Sequence, residues 1–232
     1  DDVHVFRPRA GQQGKNLTAA ADLFVDAAMN SDLYSAAPAG VQWSPDGAAI
    51  YFNAPVDGSF ELWRVRLDDA RVERLTKGQH MLVSPSITGA GRGLVVAAIL
   101  GTATTPPDVV AFDLPAPGKQ PATPVRTKSM RRLSDLMGEA WKGLDIVAPQ
   151  EIWTKVDGRR VQGWFYEAPA RRGRPAPTVV EIHGGPATLY GSSLFWEWQV
   201  LVARGMSVFA CNPRGSTGYG QDFARANFRD WG

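Results

Sequence analysis

Short apolar runs alternate with turn-forming residues over the first 130 residues, where helical spacing is almost missing. Residues 49–53, 61–67 and 72–76 are apolar or alternate in polarity, as strands with a buried face do. The segments 44–47 and 56–59 separate these runs, and their Pro, Asp and Gly residues favour tight turns. With one short strand in front, the pattern predicts four antiparallel strands in about forty residues, the size of a β-propeller blade.

A looser copy of this pattern follows. Ser84 to Thr88 stands where the first turn stood, Leu94 to Leu100 is a buried-strand run, and Asp108 to Leu114 matches the strand at 61–67. We therefore predict a second blade, with another antiparallel sandwich as the alternative interpretation. Because a closed propeller has about four to eight blades, we expect the other blades upstream of Asp1.

The pattern changes after a Pro-rich loop at 115–124. Residues 146–155 and 161–167 are predicted strands joined by a turn. The β-branched run 178–182 is a further predicted strand, and it ends abruptly at His183-Gly184-Gly185-Pro186. The second half of the chain therefore differs from the first, because here a strand ends in a glycine-rich turn.

A helix and another strand complete this unit. Residues 193–204 have helical spacing, with Gly205 just past the end, and residues 206–211 form an apolar run. The apolar positions on one face of the helix are Leu194, Trp198, Leu201 and Val202. Strand, turn, helix and strand predict an α/β sheet whose ligands lie beyond the carboxyl ends of the strands, here at 183–186 and 212–216.

Composition narrows the functional classes. Lys and Arg number 25 and Asp and Glu 23, spread along the chain for a net charge of +2, so neither nucleic acid nor a membrane surface is an expected partner. No run approaches the roughly 18 apolar residues of a membrane span. The three His are scattered and Cys211 is single, so we expect no metal, no cofactor and no internal disulfide. The free cysteine favours a cytoplasmic location.

Four motifs in the second half carry a family resemblance. They are Glu181 to Pro186, Gln199 to Gly205, Asn212 to Gly220, and Asp230-Trp231-Gly232. In this order they resemble the first half of the α/β-hydrolase domain of the prolyl oligopeptidase family, closest to the acylaminoacyl-peptidase type. The phrase Trp-Ser-Pro-Asp-Gly at 43–47, with the hairpin after it, is similar to the propeller blades of that family.

The resemblance implies a fold and an activity. Residues 1–130 would be the C-terminal blades of a β-propeller, and residues 131–232 the N-terminal part of an α/β-hydrolase (peptidase) domain. The implied activity is that of a serine peptidase which hydrolyses short peptides through an acyl-enzyme. Acylaminoacyl, dipeptidyl and oligopeptidase specificities remain open, because no motif for a free amino terminus is present.

The His-Gly-Gly turn has a clear chemical use in acyl transfer. Negative charge builds on the substrate carbonyl oxygen, and backbone amides aimed at that oxygen lower the barrier. Glycines let such amides approach a substrate because no Cβ intervenes. By resemblance the Gly185 amide would be one oxyanion donor, and His183 and Gly184 would form the site wall. A plain structural role at the turn is the alternative for His183. The family's base histidine lies near the end of the domain, so His183 is not the general base.

Arg214 is a second candidate in the site wall. Its guanidinium either holds a loop by hydrogen-bonding carbonyls or pairs with a carboxylate of the substrate or of a neighbouring chain segment, and the first use is favoured. Ser216 lacks a G-x-S-x-G frame, and a glycine-rich turn more often uses Ser for local hydrogen bonds.

No segment of the sequence fits G-x-S-x-G, so the resemblance implies that the Ser-Asp-His triad lies outside these residues. The polypeptide alone is predicted to be inactive, and its expected partners are a short peptide and the remainder of the same enzyme, with a homo-oligomer also open. The alternatives are a non-catalytic propeller binding module and an esterase on the same fold.

Overall fold

The structure is a computed structural model that describes residues 2–6, 13–25, 27–33, 40–90, 93–118, 122–169 and 175–230. In chain order the strands are β1 (His4–Val5), β2 (Lys15–Asn16), β3 (Ala28–Met29), β4 (Gln42–Trp43), β5 (Ala49–Val56), β6 (Ser59–Arg66), β7 (Val72–Arg74), β8 (Thr76–Lys77), β9 (Met81–Ala90), β10 (Gly93–Gly101), β11 (Asp108–Pro115), β12 (Val125–Arg126), β13 (Arg131–Arg132), β14 (Gln150–Val156), β15 (Arg159–Tyr166), β16 (Thr178–Glu181), β17 (Thr188–Leu189) and β18 (Ser207–Asn212). The helices are α1 (Gly138–Trp141), α2 (Trp196–Ala203) and α3 (Gln221–Ala224), with a 3₁₀ turn at Thr127–Ser129.

Eight strands form the first sheet, in the order β13-β11-β10-β9-β6-β5-β4, with β7 also paired to β6. Two four-stranded antiparallel groups make up this sheet, β4 to β7 and the set β9, β10, β11 and β13, and a single parallel pair, Phe60 with Met81, joins them. One face buries side chains such as Tyr51, Leu62 and Val96. On β5 and β6 the other face is covered by the N-terminal segment.

The predicted turn at Ser84 to Thr88 is wrong, because these residues lie inside the long strand β9. Ser84 has a left-handed φ of 50°, and the pairing of β9 with β10 shifts between Ala97 and Ile99. The strand therefore absorbs the Ser-Pro pair as a β-bulge and continues, because its partner β10 holds it on both sides of the irregularity.

A smaller mixed sheet has the strand order β14-β15-β18-β16. The hairpin β14–β15 is antiparallel, β15 pairs antiparallel with β18, and β18 pairs parallel with β16. Helix α2 lies between β16 and β18 in the chain, and its Trp198 and Val202 are buried against Val208 and Ala210 of β18. This helix is shorter than the predicted 193–204, and β14 begins at Gln150 rather than at residue 146.

The two sheets meet at the β5–β6 hairpin. Its turn residue Asp57 donates from N to O of Gly218 at 3.0 Å, and O of Gly58 accepts from N of Ser192 at 2.7 Å. Farther along, β3 of the N-terminal segment pairs in parallel with β17. Within the described ranges, no helix is long and apolar enough to cross a membrane.

Candidate active site

The His183-Gly184-Gly185-Pro186 turn begins two residues after β16 ends, beside the end of β18. Parallel pairing of these strands puts their carboxyl ends at one edge of the sheet, as the strand–helix–strand pattern predicts. The turn and the loop after β18 are in contact there, because Nε2 of His183 lies 2.9 Å from Oγ of Ser216. The two segments singled out from sequence are thus brought together.

The glycines of this turn have available amides. Gly184 and Gly185 are exposed, and neither N–H donates a hydrogen bond within the described part of the chain. Gly185 has a φ of 124°, and a Cβ on it would lie 2.8 Å from Cγ2 of Thr188, so the position needs glycine. Two free, adjacent donors at the end of a strand can bind a carbonyl oxygen or an oxyanion.

The turn lies on an open surface rather than in a closed pocket. Val180 and Ile182, just before it, are 59% and 79% exposed. Strand β16 pairs only with β18 among the described strands, so one edge of it is open. The side chains of Val180 and Ile182 and the two glycines of the turn are therefore all open to solvent.

His183 is held from several sides. Its Nδ1 lies 2.9 Å from O of Gly184, and its ring meets Tyr190 edge-on at 5.0 Å between centroids. Ser216, which is fully buried, donates to O of Pro213 at 2.8 Å while its Oγ contacts Nε2 of the histidine. This arrangement gives Ser216 local hydrogen bonds, and His183 fixes the path of the turn.

Behind the turn, Asn212 at the end of β18 is fully buried. Its Oδ1 accepts from N of Tyr190 at 2.7 Å, and its Nδ2 donates to O of Tyr190 at 2.8 Å and to the Tyr219 hydroxyl at 2.6 Å. Tyr219 donates in turn to Oε1 of Gln162 at 2.5 Å. Burial raises the pKa of the Tyr219 phenol, so the hydroxyl keeps its proton as a donor.

Arg214 turns away from the His-Gly-Gly turn toward helix α3. Its Nη1 binds the Asp230 carboxylate and lies 3.5 Å from O of Ala226. These contacts hold the loop after β18 to the segment after α3. Trp231 and Gly232, which complete the last motif, lie outside the described residues.

The surroundings of two ionisable side chains near the turn, Glu181 and Cys211, favour their neutral forms. Burial, assisted by the negative charge of Glu197, raises the pKa of Glu181 above its ordinary 4.5. Burial also raises the pKa of the Cys211 thiol, which makes it a poor nucleophile at neutral pH. In the described part of the chain, no group of three or more His, Cys, Asp or Glu side chains could hold a metal ion.

Two features were not found from the sequence. A cleft of about 620 Å³ lies between the N-terminal segment, the β5–β6 hairpin, the β14–β15 hairpin and the loop at 218–223. The other feature is a buried cluster at His80. It is fully buried, with Nε2 2.9 Å from Oε2 of Glu61 and Nδ1 2.7 Å from Oγ1 of Thr127. Both bring together residues far apart in sequence, so no local pattern marks them.

Comparisons with known proteins agree with this geometry. The prolyl oligopeptidase family model matches residues 192–232, which include α2, β18 and the loop after it. The uncharacterized peptidase YuxL of Bacillus subtilis is 44% identical over 89 residues, covering 38% of this chain and 14% of that protein. Residues 192–232 are thus similar in sequence to the prolyl oligopeptidase family.

Longer matches to individual peptidases cover most of the chain. Dipeptidyl-peptidase 5 of Porphyromonas gingivalis is 25% identical over 203 residues, 82% of this chain and 28% of that protein. The crystal structure of acylaminoacyl peptidase from Pyrococcus horikoshii superposes with a TM-score of 0.68 at 25% identity, over 92% of this chain and 29% of that one. The chain thus spans less than a third of the length of each of these three proteins.

Proposed function

We propose that this chain is part of a serine peptidase in which the Gly185 amide donates to the oxyanion during acyl transfer. The observation that carries the proposal is the pair of exposed, unbonded amides at Gly184 and Gly185, at the carboxyl end of β16. As negative charge develops on the substrate carbonyl oxygen, a preorganised amide stabilises it without reorganisation. Residues 1–232 contain no G-x-S-x-G sequence. The nucleophile, acid and base would therefore come from other residues of the full-length protein.

The strand order supports a division of the chain near residue 130. In β14-β15-β18-β16, the strand before the His-Gly-Gly turn is third in chain order, the position that this turn has in α/β-hydrolases. We assign residues 131–232 to such a domain and residues 1–130 to propeller blades. The strand β13 at Arg131–Arg132 still pairs with the first sheet, so the connection leaves the blades just after it.

For the substrate we propose a short peptide whose scissile carbonyl enters beside the turn. His183 and Gly184 would then form the wall next to the oxyanion, while Arg214, bound to Asp230, supports the loop behind it. No cofactor takes part in this chemistry, since acyl transfer needs only a nucleophile, proton transfer and oxyanion donors.

The test compares three substrates with the full-length protein that contains these residues. We expect labelling by a fluorophosphonate and hydrolysis of N-acetyl-Ala p-nitroanilide or Ala-Ala p-nitroanilide. Turnover of p-nitrophenyl butyrate alone would instead indicate an esterase. The absence of labelling and of any turnover would contradict the proposal and favour a binding module.

The polypeptide of residues 1–232 alone is expected to show neither labelling nor turnover, because loss of the triad removes most of the rate enhancement. It is assayed beside the full-length protein with host peptidases excluded. Hydrolysis by this polypeptide would show that the nucleophile lies within these residues.

A further inference from the structure

The His183 turn is supported by a buried amide that does not touch it. Asn212 binds both the N–H and the carbonyl of Tyr190, at 2.7 and 2.8 Å, so it fixes the backbone there in position and in rotation. The amide cannot be reversed, because a reversed side chain would direct NH₂ at the N–H of Tyr190 and oxygen at its carbonyl. Asn212 is fully buried, which excludes water as a substitute partner.

Tyr190 transmits this constraint to the turn through its ring. The ring is 6% exposed and lies edge-on to Phe195 at 5.4 Å and to Trp198 at 5.1 Å. On its remaining side it meets the ring of His183 at 5.0 Å, with an interplanar angle of 85°. Since packed side chains move only together, a shift of Tyr190 displaces the histidine.

Ser216 holds the same histidine from the other side. Its hydroxyl is anchored on O of Pro213 and lies 2.9 Å from Nε2 of His183. His183 Nδ1 in turn lies 2.9 Å from O of Gly184. The side chain of His183 is therefore fixed between two supports, and its backbone leads directly into the two free amides.

We propose that Asn212 and Ser216 are positioning residues for the oxyanion donor, Asn212 acting through Tyr190 and both acting through His183. The inference rests on the proposed acyl-transfer function. It goes further in assigning roles to two buried side chains that contact neither substrate nor reacting atoms. Removing a support displaces the amide without removing it, so the loss is smaller than that of a deleted oxyanion donor.

The experiment measures kcat and KM per active site in the full-length enzyme, with the titre determined by fluorophosphonate. For Asn212→Ala we expect kcat to fall about tenfold or more, against about 10²–10³ for loss of a whole donor. We expect KM to change less than about threefold, because the lost interaction belongs to the transition state. For Ser216→Ala we also expect kcat to fall, by a smaller factor.

Gln199 supplies a matched control. Its buried amide binds the N–H and the carbonyl of Val147 at 2.9 and 3.0 Å, the same two-point grip that Asn212 has on Tyr190. These bonds serve a different loop, so Gln199→Ala is expected to keep kcat per titrated site within about twofold. A purely structural role of Asn212 would make the two variants alike once folded sites are counted.

Each outcome decides the matter. Unchanged kcat per site in both Asn212→Ala and Ser216→Ala, or an equal loss in Gln199→Ala, would overturn the inference while leaving the peptidase function intact. If Asn212→Ala does not fold, Ser216→Ala decides alone, since removing one hydroxyl leaves the core volume nearly unchanged. An inactive, unlabelled wild-type enzyme would instead refute the proposed function itself.

Discussion

Gly184 and Gly185 are neighbours in sequence, but their surroundings tolerate a methyl group very differently. At Gly184 a Cβ would have no atom within 4 Å, whereas at Gly185 it would lie 2.8 Å from Thr188 Cγ2 and 3.1 Å from N of Ala187. Gly185 also has a φ of 124°, a region that side chains rarely adopt. The sequence pair therefore contains one position that requires glycine and one that allows a substitution.

This difference gives a paired prediction. Gly185→Ala should lower the free energy of unfolding by about 1–3 kcal/mol and reduce kcat, because the backbone must leave its strained conformation. Gly184→Ala should cost less than about 1 kcal/mol. Urea unfolding of the full-length protein, and the peptidase assay proposed for it, measure both effects. Equal costs at the two positions would show that the turn does not have this conformation.

At the scale of elements, Glu61 connects two strands and the segment that leads to the second sheet. It is fully buried on β6, and it binds Arg74 of β7 at 2.6 Å and His80 at 2.9 Å. Thr76 also donates to it, and His80 reaches Thr127 of the 3₁₀ turn. Burial opposes the charged form, but the interactions with His80, the hydrogen bond from Thr76 and the charge of Arg74 outweigh it and hold the pKa of Glu61 below its ordinary 4.5.

The lowered pKa predicts how stability depends on pH. A carboxyl group with a lowered folded pKa contributes stability above its unfolded pKa, here about 4.5, and loses it as the pH falls through the folded value. Glu61→Gln should cost about 1–3 kcal/mol at pH 7, and its stability should fall less steeply than wild type below pH 4.5. Urea unfolding at pH 7, 5, 4 and 3 tests this, with the exposed Glu139→Gln as control. Parallel pH curves for wild type and Glu61→Gln would contradict it.

The sequence predicted tight turns correctly where an Asp-Gly pair determines the local backbone conformation. The hairpin turn at Asp57–Gly58 and the turn at Asp157–Gly158 occur as expected, because Gly adopts positive φ there. The same reasoning failed at Ser84, where pairing with β10 keeps a Ser-Pro sequence within a strand. Local signals for a turn are thus overridden where neighbouring strands supply the backbone hydrogen bonds.

For the site, the sequence placed the His183 turn and the loop after β18 at one sheet edge, since parallel strands end together. It did not predict Asn212 beneath Tyr190 or Ser216 beside His183, because these contacts join segments 22 and 33 residues apart. No periodicity records such contacts, which depend on how the helix and loops fold over the sheet.

At the scale of the whole molecule, Gly58 lies at a close contact between the two sheets. A Cβ on it would lie 2.5 Å from Cζ2 of Trp164 and 2.9 Å from Oε1 of Gln162. Gly191 approaches from the other side, where its own Cβ would lie 2.2 Å from O of Gly58. The hairpin of the first sheet therefore fits against the second sheet only without a side chain at this position.

Gly158 is a matched control for Gly58. It separates the energy of the contact between the sheets from the cost of placing alanine in the turn. Gly58 has φ 67° and Gly158 has φ 77°, but a Cβ on Gly158 would meet no atom within 4 Å. Alanine at either position costs about 1–2 kcal/mol for the left-handed backbone, and Gly58→Ala should cost about 1–3 kcal/mol more because it overpacks the junction. Urea unfolding followed by tryptophan fluorescence measures both, since Trp164 lies at the contact. Equal destabilisation of the two variants would show that the hairpin does not pack tightly against the second sheet. The hydrogen bonds that join Asp57 to Gln162, and Gln162 to Tyr219 at the candidate site, would then not depend on this contact.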